Sequence, residues 1–211
     1  MNITSGFNTL VLTHGTELEF RLSLPESFDA EKDYRVILAI PPGAQTRSLV
    51  NDYQNWFASF PKRQWVMACP VSLDGKLFFQ GSERYVPYLM DRLQRELNLF
   101  GGKFYLLGVS NGGISAFRVA TLNPERFHSI TVMPGWPKPA DEKRLDTILR
   151  IPINFAVGEL DDRWRKKSEE FAGTLTKMGG DVYLEIIPLE GYAAFRSYPL
   201  EKLERFLLRN C

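Results

Sequence analysis

The sequence predicts an α/β protein whose central sheet is mostly parallel and carries helices on both faces. Short apolar runs of strand type alternate along the chain with segments of helical period, a pattern typical of βαβ units. The predicted strands are 9–12, 18–24, 36–40, 66–71, 104–109, 130–133, 153–157 and 182–187. The first two flank a turn at His14-Gly15-Thr16 and are predicted to form a hairpin.

Six segments between these runs are predicted to be helices: 47–60, 83–99, 111–122, 141–149, 163–178 and 200–208. The first two carry apolar side chains at helical spacing, and Gly179-Gly180 is a suitable stop for the fifth. Neither a repeat nor a linker interrupts the 211 residues, so we expect one domain over 1–211.

Composition and charge exclude several classes of partner. With 26 basic and 25 acidic residues the net charge is +1, and we expect no binding to nucleic acid. The basic run 163–167 is interpreted as the solvated face of a helix. Neither a leader-type N-terminus nor an apolar stretch of about 20 residues occurs, so we expect no membrane span. Cys69 and Cys211 are interpreted as a buried residue and a terminal thiol, and the protein as cytoplasmic.

The most informative segment is the strand 104–109 followed directly by Ser110 and the helix 111–122. Residues 108–112 read Gly-Val-Ser-Asn-Gly, the G-x-S-x-G pattern of a nucleophile elbow. A serine at such a turn has strained backbone angles, and the flanking glycines lack the Cβ atoms that would collide there. The sequence therefore predicts that the Ser110 hydroxyl stands above the sheet edge, at a helix N-terminus that favours developing negative charge.

From about residue 34 to residue 208 the chain resembles the α/β-hydrolase family, especially its small members without a lid domain, of the carboxylesterase/phospholipase and dienelactone-hydrolase type. The resemblance implies the α/β-hydrolase fold without a substantial lid domain, and a serine esterase. At Pro42-Gly43 the family has a histidine–glycine turn that supplies half of the oxyanion hole. By the resemblance, the two donors are the backbone N–H groups of Ala44 and Asn111, and proline in place of histidine leaves both intact. A plain type II turn is the alternative for Pro42-Gly43.

The resemblance also indicates the acid and the base of the catalytic triad. The family places its acid three residues after a glycine such as Gly158, which selects Asp161, with Asp162 second and a helix N-cap as the alternative. The histidine should follow the last strand, but Tyr192 occupies that position. A phenol has an ordinary pKa of about 10 and makes a poor general base at pH 7. We expect His14 and His128 to be surface or packing residues, with His128 just before a parallel strand and therefore a strand's length away from the active site.

Three functions remain open. The first is hydrolysis of small carboxylic esters by Ser110, weak or absent without a histidine, with no metal or cofactor. The second is a non-catalytic relative that binds a small molecule or a protein partner in the same cleft, and the third is a lyase or isomerase that uses Tyr192. Phe78, Phe79 and Trp136 are predicted to line an open pocket for a small ester-like ligand, with core packing as the alternative.

Overall fold

The computed structural model describes residues 3–13 and 15–209, and in these ranges nine strands form one sheet. His14 and Cys211 therefore lie outside the described residues. The strands are β1 (Gly6–Val11), β2 (Glu17–Ser23), β3 (Asp33–Ile40), β4 (Trp65–Pro70), β5 (Asn98–Leu99), β6 (Phe104–Gly108), β7 (Phe127–Val132), β8 (Ile153–Gly158) and β9 (Val182–Ile187). They follow the order β1-β2-β4-β3-β6-β7-β8-β9, and the two-residue β5 pairs with β3. Every pair from β4 to β9 is parallel, while β1 and β2 form the predicted hairpin at one edge.

Helices cover both faces of the sheet. They are α1 (Arg47–Trp56), α2 (Val86–Glu96), α3 (Asn111–Leu122), α4 (Pro139–Glu142), α5 (Asp162–Lys177), α6 (Ala194–Ser197) and α7 (Leu200–Leu207). The predicted α/β architecture with a mostly parallel sheet is confirmed, and the described residues carry no large insertion of the kind that forms a lid domain. None of the described helices is long and apolar enough to cross a bilayer.

The two faces of the sheet bury separate apolar cores because side chains alternate along a strand. In β6, Phe104 and Leu106 point into the core beneath α2, α3 and α5, whereas Tyr105 and Leu107 point into the core beneath α1 and α7. The side chains of β6 are fully buried in both cores, so β6 is apolar along its whole length. Burial on both faces explains why the sequence of this strand is continuously apolar rather than alternating.

Three predicted helices end differently in the structure. The segment 141–149 is α4 followed by a 3₁₀ turn at Leu145–Ile148, because Arg144 (φ −122°) leaves the helical region. The segment 83–99 begins as a 3₁₀ turn, and its helix stops where Leu97 becomes extended so that β5 can pair with β3. Helix α1 ends at Trp56, before a 3₁₀ turn that starts at Pro61.

Parallel pairing brings the carboxyl ends of β3, β6, β7, β8 and β9 to one edge of the sheet. At this edge α3 approaches the end of β3 very closely. A Cβ atom added to Gly112 would overlap the carbonyl oxygens of Ile40 and Pro41. A side chain at position 112 would therefore push α3 away from the strand and disturb the turn that precedes the helix.

We predict that Gly112→Ala lowers the free energy of unfolding by about 3 kcal/mol or more, because the added methyl group meets backbone atoms that cannot move aside. The matched control is Gly173→Ala, within α5, where an added Cβ has no neighbour within 4 Å. That change should stabilise the protein by about 0.5–1 kcal/mol through helix propensity. Urea unfolding of both variants checks the prediction, and equal tolerance of the two changes would contradict it.

Candidate active site

Ser110 occupies a strained turn between the end of β6 and the start of α3. Its φ of 57° and ψ of −119° lie in a region that residues other than glycine rarely adopt. The Ser110 N–H donates to the carbonyl oxygen of Pro134 at 2.9 Å, and the Ser110 carbonyl accepts the first helical bond from Ile114 at 3.0 Å. The strand–turn–helix position predicted for Ser110 is confirmed.

A second glycine completes the elbow. A Cβ atom at Gly108 would overlap the carbonyl oxygen of Gly112 and the side chain of Ala116. Since Gly108 ends β6 and Gly112 lies in the first turn of α3, the absence of both side chains lets the helix fold back tightly onto the strand. The G-x-S-x-G pattern is thus a packing requirement on both sides of Ser110.

The loop after β3 lies against the elbow. The side-chain amide of Asn111 donates to the carbonyl oxygen of Gly43 at 3.1 Å, and Gly43 has a φ of 64°. In the part of the chain that the structure describes, neither the N–H of Ala44 nor that of Asn111 has a recorded acceptor. The Asn111 N–H belongs to the first turn of α3, where N–H groups have no intrahelical partner.

Gln45 ties the same loop to α3 and was not identified from the sequence. Its side chain is fully buried, and its Oε1 accepts from the N–H of Phe78 at 3.0 Å. Its Nε2 donates to Ser115 Oγ at 2.9 Å, and Ser115 Oγ donates to the Asn111 carbonyl, also at 2.9 Å. These contacts fix the position of the Ala44 peptide relative to Asn111. They are tertiary, so no local sequence signal marks them.

Tyr192 reaches Ser110 from the loop after β9. Its hydroxyl donates to Ser110 Oγ at 2.7 Å, although the two residues are 82 positions apart in sequence. Ser110 is only 5% exposed whereas Tyr192 is 46% exposed, so the phenol lies between the serine and solvent. A hydroxyl is a donor as well as an acceptor, but a neutral phenol takes up a proton far less readily than a neutral imidazole.

Asp161 caps α5 with one carboxylate oxygen, while its other carboxylate oxygen makes no hydrogen bond to the described residues. Its Oδ1 accepts from the N–H of Trp164 at 3.4 Å, and its Oδ2 is buried without a partner among the described residues. Burial raises the pKa of this carboxyl, and the charge of Arg163 opposes the rise. The side chain of Asp162 is 90% exposed and pairs with Arg165 at 3.3 Å. The cap is therefore Asp161, while Asp162 points to solvent.

The loops that carry Asp161 and Tyr192 pack against each other. The N–H of Leu160 donates to the carbonyl of Glu190 at 2.8 Å, and a Cβ at Gly158 would overlap the carbonyls of Glu190 and Gly191. No hydrogen bond joins Asp161 to Tyr192 among the residues described. Trp164, whose N–H donates to Asp161, links the two loops instead, since its ring centroid lies 6.2 Å from that of Tyr192.

An aromatic cluster continues from Tyr192 across this edge of the sheet. Trp164 lies 4.3 Å from Trp136 between ring centroids, and Lys138 Nζ lies 5.8 Å from the Trp136 ring and 5.5 Å from that of Phe79. Trp136 and Phe79 thus lie near one another, Trp136 as a buried residue of the core and Phe79 as a partly buried residue packed against it. Phe78 is fully buried in the core, so the prediction that it lines the pocket is wrong. Trp164 was missed, since its basic neighbours indicated a solvated helix face.

His128 lies at the opposite end of the sheet, as predicted. It is the second residue of β7, its Nε2 is 2.9 Å from the carbonyl oxygen of Phe100, and its ring lies 4.9 Å from that of Tyr105. Ser110 follows the other end of the neighbouring strand β6, and that strand separates the two side chains by about 15 Å. His128 therefore has a packing position and not a position beside Ser110.

Solved structures of similar fold include several hydrolases. The chain superposes on a thermostable esterase with a TM-score of 0.81 at 15% identity, covering 96% of this chain and 62% of the esterase. It superposes on an S-formylglutathione hydrolase from Agrobacterium tumefaciens with a TM-score of 0.71 at 17% identity, covering 99% and 97%. It also superposes on esterase 2 of Thermogutta terrifontis, phosphoramylated by tabun, with a TM-score of 0.74 at 14% identity, covering 96% of this chain and 94% of that esterase.

These similarities establish the α/β-hydrolase fold for this chain. The chain spans less than two thirds of the thermostable esterase but nearly the whole of the other two proteins. No protein-family model and no curated protein sequence matches it.

We predict that Asp161→Asn, which keeps an acceptor for the α5 cap and removes the charge, changes stability in a pH-dependent manner. Because the pKa of Asp161 is raised in the folded state, the folded protein holds this proton more tightly than the unfolded chain. The associated stabilisation is present below about pH 4, the unfolded pKa, and is lost as the pH rises through the folded pKa. The Asn variant should therefore match the parent at low pH and exceed it at pH 7.

The matched control for this prediction is Asp162→Asn, at the neighbouring, exposed position. It should stay within about 0.5 kcal/mol of the parent across the same pH range. Urea unfolding between pH 3.5 and 7 provides the measurement. An Asp161→Asn variant that loses stability at pH 7 would show that the charged carboxylate is well accommodated in the native state.

Proposed function

We propose that this chain is a serine-hydrolase-like protein of the carboxylic ester hydrolase type, with Ser110 as the nucleophile and no histidine to activate it, and that its activity is correspondingly weak or absent. One observation carries the proposal: Ser110 lies at a strained strand–helix turn, and the residue within hydrogen-bonding distance of its hydroxyl is a tyrosine. The fold is also shared with solved esterases.

In this proposal Ser110 Oγ attacks the acyl carbon of a small ester, and the carbonyl oxygen of the ester becomes an oxyanion. The N–H groups of Ala44 and Asn111 stabilise this oxyanion, with the positive end of the α3 dipole behind Asn111. Both are backbone groups, and both are held by the contacts of Gln45 and Gly43 described above. This part of the site needs no histidine.

Removal of the hydroxyl proton of Ser110 limits the rate of this reaction. As Ser110 Oγ forms its bond to carbon, its proton must pass to a base, and the phenol of Tyr192 is already a donor to that oxygen. Without a base the proton passes to water or hydroxide. In a serine protease, loss of the histidine costs on the order of 10⁶ in turnover, and the oxyanion hole and binding retain about 10³–10⁴ over water.

Asp161 completes the proposed site as the acid that a histidine would require. Its free Oδ2 and its raised pKa fit a carboxyl group that lacks the cation for which its position is suited. In this proposal the protein is a single cytoplasmic domain over 1–211 that takes small ester-like ligands. The balanced net charge of +1 and the buried free thiol of Cys69 support that setting.

We predict that Tyr192→His raises the rate of p-nitrophenyl acetate hydrolysis by about ten- to a hundredfold over the parent. An imidazole at this position can accept the Ser110 proton, and a general base contributes about 10²–10⁴ in a site shaped to hold it. The gain should stay below the full histidine effect of about 10⁶ because the loop after β9 was not shaped to orient an imidazole.

Two further variants separate this gain from simple opening of the site. Tyr192→Phe removes the phenol oxygen but supplies no base, so it should show no comparable gain. Ser110→Ala in the Tyr192→His background should return hydrolysis to the level of Ser110→Ala alone. Ordinary esterase rates in the parent, lost on Ser110→Ala, would show instead that another group activates the serine.

A further inference from the structure

The aromatic cluster beside Tyr192 carries positive charge. We define the cationic wall as Phe79, Trp136, Trp164, Lys138 and Arg163. Lys138 Nζ lies within 6 Å of both Phe79 and Trp136, and the Arg163 guanidinium lies 6.0 Å from the Trp136 ring. Cations at this distance from aromatic faces are held over them by attraction to the ring quadrupole.

Lys138 has no acidic partner in the described residues, where the ion pairs include neither Lys138 nor Arg163. The acidic residues near Phe79 already form ion pairs with arginines. Glu83 pairs with Arg118 at 3.0 Å, and the fully buried Asp141 pairs with both Arg118 and Arg144. Arg118 also donates to the Phe79 carbonyl at 3.4 Å. The charge of Lys138 therefore stays uncompensated at the surface of the cluster.

Arg163 differs from Lys138 because its charge interacts with a carboxyl group of the site. It lowers the pKa of Asp161 against the larger, opposite effect of burial. Its charge is thus partly matched within the site, and Lys138 is the cation that a ligand can pair with most completely. Its ammonium offers three donors on a flexible stem.

The wall continues to the nucleophile through ring contacts. Trp136 contacts Trp164, Trp164 neighbours Tyr192, and Tyr192 donates to Ser110 Oγ. Phe79 and Trp164 are only partly buried, so they present apolar surface beside the cation. A planar ligand on this surface would place an apolar body on the rings and a negative group against Lys138.

We propose that the cationic wall binds aromatic carboxylates, and that the ligands of the Ser110 site are small aromatic molecules that bear a carboxylate away from the reacting group. This inference rests on the proposed function for the nature of the reacting group, but the binding of the carboxylate does not require turnover. The carboxylate pairs with Lys138 while the ring lies against Phe79 and Trp164. The class of ligand follows from the uncompensated cation and the aromatic surface together.

The test compares an anion with its neutral isostere. Binding of 2-naphthoate and of 2-naphthamide is measured by titration calorimetry at pH 7 and low ionic strength, where surface charges are least screened. We expect 2-naphthoate to bind about five- to tenfold more tightly than 2-naphthamide, as for a charge-assisted contact at a partly exposed cation. Lys138→Met, which keeps the apolar stem, should remove this preference for the anion.

Lys166→Met is the matched control, because it makes the same change of charge at an exposed position of α5. It should preserve the preference for 2-naphthoate. Equal binding of the two ligands by the parent, no binding of either ligand, or equal effects of Lys138→Met and Lys166→Met would overturn the proposal. Neither ligand is an ester, so their binding is measured without turnover, and failure of ester hydrolysis and failure of the cationic wall are distinguishable results.

Discussion

The positive φ of Ser110 depends on how closely α3 is packed against the strands on which it rests. Gly112 has no room for a side chain because the carbonyls at the end of β3 occupy that space, and Gly108 is restricted in turn by the Gly112 carbonyl. With the helix held at this distance, the chain between the two glycines must reverse within three residues. The reversal directs the Ser110 hydroxyl toward Tyr192 and leaves the Asn111 N–H without a helical acceptor. The arrangement of donors around Ser110 is therefore a consequence of backbone packing.

Tyr192 gives this arrangement its particular chemistry. A phenol and a serine hydroxyl at 2.7 Å form a stable pair in which neither group readily takes a proton from the other. Asp161 lies in the adjoining loop, with one oxygen in the cap of α5 and the other without a hydrogen-bond partner among the described residues. Under the proposed function, a nucleophile, two oxyanion donors and an acid are present without a base to couple them. Electrostatic stabilisation of an oxyanion can persist in such a site, whereas activation of the serine cannot.

Local sequence patterns predicted the elements that position Ser110, but not the contacts between distant loops. The Gly-Val-Ser-Asn-Gly segment was sufficient to predict the elbow because the residue types that the turn needs are adjacent in sequence. The carbonyls that exclude a side chain from Gly112 belong to Ile40 and Pro41, and no sequence pattern indicated that contact. The boundaries of α3 were predicted to the residue, whereas the segment 141–149 was not, since Arg144 departs from helical geometry. Gln45 and Trp164 were missed because their partners are tens of residues away in the chain. Phe78 and Phe79 are adjacent and equally apolar, and only tertiary burial distinguishes the core residue from the wall residue.

We propose that Ser110 is a nucleophile beside an intact oxyanion hole, with no base to activate it. The most direct measurement is reaction of the parent protein with a fluorophosphonate, followed by determination of the structure of the adduct. We expect slow phosphonylation at Ser110 alone. In the adduct, the phosphoryl oxygen should accept from the N–H groups of Ala44 and Asn111, and Tyr192 should be displaced from Ser110 Oγ. Modification at another residue, or a phosphoryl oxygen directed away from both N–H groups, would contradict it.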